Sequence, residues 1–75
     1  MRTRPLVSLR GCGIVTRIDG SSEELGRLIS LGFAPGRKVR VHINGSVMVV
    51  EVDNSIFVMG RQLASKIRIG DQHED

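Results

Sequence analysis

Cysteine occurs once in this chain of 75 residues, tryptophan and tyrosine not at all, and the only aromatics are Phe33 and Phe57. A single cysteine, Cys12, excludes an intramolecular disulfide and fits a reducing compartment. With no Trp or Tyr, and both Phe expected in the core, the chain offers no stacking platform for single-stranded nucleic acid. No apolar run approaches the ~20 residues of a membrane helix. The opening "MRTRPLVSLR" is basic but lacks the apolar core of a signal peptide. The expectation is a cytoplasmic protein. At this length a single domain over residues 1–75 buries roughly 60% of its unfolded surface. Little room remains for a deep substrate cavity beside a core, so a binding module is expected rather than an enzyme.

Residue types that could carry chemistry are sparse. Cys12, His42, Glu51 and His73 are conceivable iron ligands, but a metal site needs donors at short spacing or on one converging face. Cys12 is isolated and His42 has no second His or Cys near it in sequence, so no metal site and no cofactor is expected. The terminal "HED" reads as solvated tail. "GCG" lacks the Gly-Lys-Ser/Thr ending of a phosphate loop, and nothing supports a nucleophile triad. No catalytic residue is assigned.

Eleven Lys and Arg against eight Asp and Glu leave a net charge of +3. The cations are spread along the chain, which fits a solvated surface better than a phosphate-tracking stripe.

Along the chain, "PLVSL" (Pro5 to Leu9) reads as a first strand, with Gly11 and Gly13 loosening the chain around Cys12 as a bulge. "IVTRID" (Ile14 to Asp19) is a second strand. Ser21 with Glu24 three residues on is a capping box. Leu25, Leu28 and Ile29 have the spacing of a buried helical stripe. Gly32 is placed to end that helix in a left-handed conformation, with Phe33 folding back over its last turn. Pro35-Gly36 has the sequence of a type II turn and launches "RKVRVHI". Asn44-Gly45 is a strong type I′ hairpin signal and Asp53-Asn54 a weaker one.

Two-residue loops at both places set a register. Val41 then faces Met48, and Val39 faces Val50, which faces Phe57; Met48 faces Met59. The other face pairs Lys38 with Glu51, Arg40 with Val49 and His42 with Val47, beside Ile56 and Val58. A short helix (Arg61 to Lys66), a last strand "IRI" and a polar tail (residues 70–75) complete the chain. Short strands and tight turns in so small a chain point to a closed or nearly closed barrel.

Val47, Val49, Ile56 and Val58 are unusual on a face that ought to be wet. Either the helix of residues 22–31 or the terminal segment covers them as a second small core, or they form a docking surface rimmed by Lys38, Arg40 and His42. A weak homodimer could bury the same residues.

The stretch "LISLGFAPGRKVRV" followed by "RQLASKIRI" resembles the FeoA family of ferrous iron transport accessory proteins. Leu28, Leu31, Gly32, Phe33, Pro35 and Gly36 match that family's helix-to-strand corner. Leu63, Ala64 and Ile67 match its closing segment, and the likeness spans about residues 5 to 69. Family members often carry Gly-Asp-Pro between the middle strands, where this chain has "INGSVM". The resemblance implies a mainly β, SH3-like barrel with one inserted helix and a short helix before the last strand. It implies a cytoplasmic partner of FeoB, the membrane Fe(II) transporter with a cytosolic G-protein domain. Two alternatives are a nucleic-acid-binding small barrel and a stand-alone metal-responsive domain like the C-terminal domain of iron-dependent repressors.

Overall fold

A computed structural model describes residues 3–70; the expected tail beyond Gly70, with His73, lies outside them. Six strands form one antiparallel sheet: β1 (Thr3–Pro5), β2 (Gly11–Ile18), β3 (Lys38–Asn44), β4 (Val47–Val52), β5 (Ser55–Gly60) and β6 (Ile67–Gly70). Their order is β1-β6-β2-β3-β4-β5. Helix α1 (Ser22–Ser30) follows β2, and α2 (Arg61–Ala64) precedes β6. The sheet curls so that residues of β2 to β6 meet in one core, which includes Val15, Val39, Met48, Val50, Val52, Met59, Ile67 and Ile69. Its end strands, β1 and β5, do not pair with each other. A 3-10 turn (Leu6–Ser8) and α2 pack together there, the turn also on β6 and α2 also on β4 and β5.

The helix begins as its sequence requires. Ser21 Oγ accepts from the Glu24 amide at 3.1 Å, and Glu24 Oε1 accepts from the Ser21 amide at 3.0 Å. Together they satisfy two of the donors orphaned at a helix N-terminus. Glu24 Oε2 also accepts from Lys66 Nζ at 2.7 Å, tying the helix start to the segment before β6. That lysine hydrogen bond, seconded by the Ser21 amide, holds the Glu24 carboxyl below the usual carboxylate range.

The helix ends in a Schellman motif. Phe33 N–H donates to Leu28 C=O and Gly32 N–H to Ile29 C=O, both at 3.0 Å, with Gly32 at φ 112°. Phe33 and Leu28 are both fully buried, each contributing roughly 2–3 kcal/mol of apolar burial. The Phe33 ring sits 5.6 Å from that of Phe57 at a 54° tilt. Arg37 N–H then donates to Ala34 C=O at 3.1 Å across Pro35-Gly36, with Gly36 at φ 93°, closing the expected type II turn. The turn is docked on β2 by Gly36 N–H to Val15 C=O at 2.8 Å and Val15 N–H to Arg37 C=O at 2.9 Å.

Several expectations are corrected. "PLVSL" is not a strand: β1 lies earlier, and Leu6–Ser8 form the 3-10 turn, which buries Leu6 and Leu9 three residues apart. Around Cys12 the ladder with β3 is regular, and the bulge in β2 falls at Thr16, whose Oγ1 donates to Arg68 C=O at 3.1 Å. In α1, Leu28 is buried and Leu25 half-buried, but Ile29 is exposed. The second helix stops at Ala64.

The two hairpins reverse their expected strengths. Asp53 and Asn54 take φ 52° and 65° and make a two-residue loop closed by Val52 and Ser55. Asn44-Gly45 makes no such loop: Asn44 pairs with Met48, and a bulge falls at His42. Asn44 is held instead by its side chain. Nδ2 donates to Val7 C=O at 2.9 Å and Leu9 C=O at 3.3 Å, and Oδ1 accepts from Arg61.

Candidate docking face on strands β3 to β5

The register fixes what the outer face carries. Val39 pairs with Val52 and Val41 with Val50, turned inward; Arg40 pairs with Glu51. Met48 faces Met59 and Val50 faces Phe57, as the sequence predicts. The expected opposition of Lys38 to Glu51 does not occur, because β3 is displaced by two residues against β4. The expected pairings of Arg40 with Val49 and of His42 with Val47 fail for the same reason.

The bulge has a second effect. Side chains alternate strictly along a strand, so one extra residue reverses the faces beyond it. Ile43 is thereby set opposite Val49 and turned outward, where it is 56% exposed. Sequence reasoning missed Ile43, since a two-residue loop would have placed it inside. Val47, Ile56 and Val58 are 47%, 61% and 69% exposed, and Val49 between them is half-buried. Ile43, Val49 and Val58 form one continuous cross-strand row. Among the described residues, α1 and β6 leave Ile43, Val47, Ile56 and Val58 exposed on this face; the expected cover by the terminal segment falls partly on residues 71–75, outside the described residues.

Lys38, Arg40 and His42 are exposed along β3 beside the apolar row. His42 Nε2 lies 2.8 Å from Glu51 Oε1, so the rim is mixed in sign, not purely basic. An open groove of about 500 Å³ continues from Arg40 and Glu51 past Lys38 to Arg37 and Asp53, with Cys12 at its side. Arg37 and Asp53 close its end as an ion pair at 3.2 Å. The arrangement sets an apolar centre inside a polar rim, an anatomy that protein-binding surfaces share.

Cys12 pairs with Arg40 on β2 and β3, and is half-buried. Among the described residues, no three of His, Cys, Asp and Glu converge as a metal-holding group. No helix among them is long and apolar enough to cross a membrane. The corner residues Leu28, Gly32, Phe33, Pro35 and Gly36 act structurally, while Leu31 remains 39% exposed.

The FeoA domain family model matches residues 8–70. No match was found among curated proteins. Of solved structures, an iron uptake regulatory protein, FeoA, is 26% identical with a TM-score of 0.83, covering 93% of this chain and 97% of that one. The Stenotrophomonas maltophilia FeoA complexed with zinc, a prokaryotic SH3 domain protein, is 22% identical with a TM-score of 0.80, covering 89% of each chain. A manganese-dependent transcriptional repressor in complex with manganese is 22% identical with a TM-score of 0.83, covering 93% of this chain and 37% of that one.

Proposed function

The chain belongs to the FeoA domain family, and from that premise we propose that it is a cytosolic, non-catalytic module that binds the cytosolic side of a FeoB-type ferrous iron transporter. The observation that carries this reading is the uncovered apolar row of Ile43, Val47, Val49, Ile56 and Val58, with Lys38, Arg40 and His42 at its rim. Apolar side chains at the centre of such a face supply affinity, and rim cations steer encounter. Binding alters a partner only so far as it favours one of the partner's states over another. The S. maltophilia FeoA, put forward as a ferrous iron transport activating factor, supports an accessory role in that transport here.

The test is a titration of the purified domain against the cytosolic G-protein domain of such a transporter. Ile43→Asp and Val47→Asp should each weaken binding at least about tenfold, because a carboxylate desolvated without a partner is costly. Both positions are about half exposed, so the variants should keep the wild-type thermal midpoint. Arg40→Ala should mainly slow association and lower its salt sensitivity. Unchanged affinity in both aspartate variants, with the fold intact, refutes the assignment of this face.

A second reading has one observation in its favour. The likeness to the manganese-dependent repressor supports a regulatory domain of that kind acting alone. Stoichiometric, high-affinity Mn(II) or Fe(II) binding by the isolated chain would favour it over the first.

A further inference from the structure

The two edges of the sheet are built differently. The β1 edge is three residues long and carries Arg4 and Pro5, devices that discourage strand addition. The β5 edge, "SIFVMG", is six residues long and carries neither charge nor proline. Among the described residues no strand pairs with its outer side.

Its hydrogen-bonding groups are fixed by the hairpin before it. In a two-residue loop the flanking residues exchange both ladder bonds, and such pairs alternate along the strands. Val52 and Ser55 flank the loop, so Ser55, Phe57 and Met59 bond inward to β4. The amides and carbonyls of Ile56 and Val58 therefore point away from the sheet. The side chains of the same two residues are its most exposed large apolar groups.

We infer that this edge pairs antiparallel with β5 of a second copy of the chain, joining two six-stranded sheets through a two-fold axis at Phe57. The strand is self-complementary in that register. Ile56 of each copy falls opposite Val58 of the other, and these two positions hold the free bonding groups. The β-branched side chains of both residues then meet across the seam on the outer face. No like charges meet, because β5 has none. The chain direction also matters: Asp53 stands before the strand and Arg61 after it. An antiparallel copy sets the acidic end of one strand beside the basic end of the other. The apolar rows of the two copies become one continuous surface. The pairing is independent of what binds that surface.

The experiment is sedimentation velocity over a wide concentration range, joined to amide hydrogen exchange. The wild-type chain should move from monomer toward dimer as concentration rises. The Ile56 and Val58 amides should gain protection in step, while the Phe57 amide is protected throughout. Ile56→Pro removes an amide that β4 does not use, and should weaken the dimer at least about tenfold. Val58→Lys should do the same by placing a charge on the seam, and keeps the result readable should the proline variant fail to fold. A monomer at every concentration, with freely exchanging Ile56 and Val58 amides, overturns the inference. So does a dimer that survives both substitutions.

Discussion

Gly32 and Gly36 stand four residues apart in the helix-to-strand corner, both at positive φ, and differ in one respect that can be measured. An alanine Cβ at Gly36, where φ is 93°, would meet nothing within 4 Å. At Gly32, where φ is 112°, it would lie 3.3 Å from Asp53 Oδ2 and 3.5 Å from Val52 Cγ1. Gly36→Ala thus reads backbone strain alone, and Gly32→Ala reads strain plus contact. Holding an L-residue in such a conformation costs about 1–3 kcal/mol. The lost flexibility of the unfolded chain returns about 0.4–1 kcal/mol. The net loss should be about 1–2 kcal/mol at each site, from a total near 0.05–0.15 kcal/mol per residue. The contact should add little at Gly32, because Asp53 is exposed and can swing away, although its ion pair with Arg37 resists this. For a domain of this size each kcal/mol moves the thermal midpoint by roughly 4–8 °C. Calorimetric melts of the two variants should therefore fall well below wild type, with Gly32→Ala the lower. Unchanged midpoints in both would refute the left-handed corner; a loss at Gly36 alone would refute the Schellman cap.

Two further substitutions test other parts of the fold. Lys66 holds the Glu24 carboxyl below its ordinary range in the folded state, so its stabilisation is full above the unfolded pKa and lost as pH falls through the lowered folded one. Glu24→Gln should therefore be less stable than wild type at neutral pH and converge with it in acid; denaturant midpoints that stay parallel across that range would contradict the linkage. Gly13→Ala should destabilise by about 1–3 kcal/mol through overpacking, since its Cβ would overlap the buried Ile69 Cγ2 and lie 3.2 Å from Leu9 Cδ2. Adding Ile69→Leu, which lacks that methyl, should recover part of the loss in chemical denaturation.

The features legible in the sequence are those whose causes lie within a few residues. The Ser21–Glu24 box, the Gly32–Phe33 ending and the Pro35-Gly36 turn each close through neighbours in the chain, and each forms as read. The Asp53-Asn54 loop forms for the same reason. Asn44 misled because its side chain is claimed by Val7 and Leu9, 37 and 35 residues away. With the asparagine held there, the ladder shifts by two residues and His42 bulges. Of the outer face, Lys38, Arg40, His42, Val47, Ile56 and Val58 were readable because a shift by two preserves which side each residue faces. Ile43 was not, because a bulge changes parity and leaves no local mark. The 3-10 turn did leave one: Leu6 and Leu9 stand three apart, a spacing that favours a tight helical turn over a strand.

The Asn44 clasp also bears on how fast the molecule comes apart. Its bonds reach the segment before β2 and, through Arg61, the start of α2. The bonds to Val7 and Leu9 help no hairpin to form and close spans of 37 and 35 residues, whereas Arg61, next after Gly60 of β5, reaches Asn44 within the meander. If folding starts from the β3–β4–β5 meander, the bonds to Val7 and Leu9 form late. Contacts made after the transition state leave the folding rate almost untouched and set the unfolding rate. Asn44→Ala should then speed unfolding far more than it slows folding, which denaturant-jump kinetics would read.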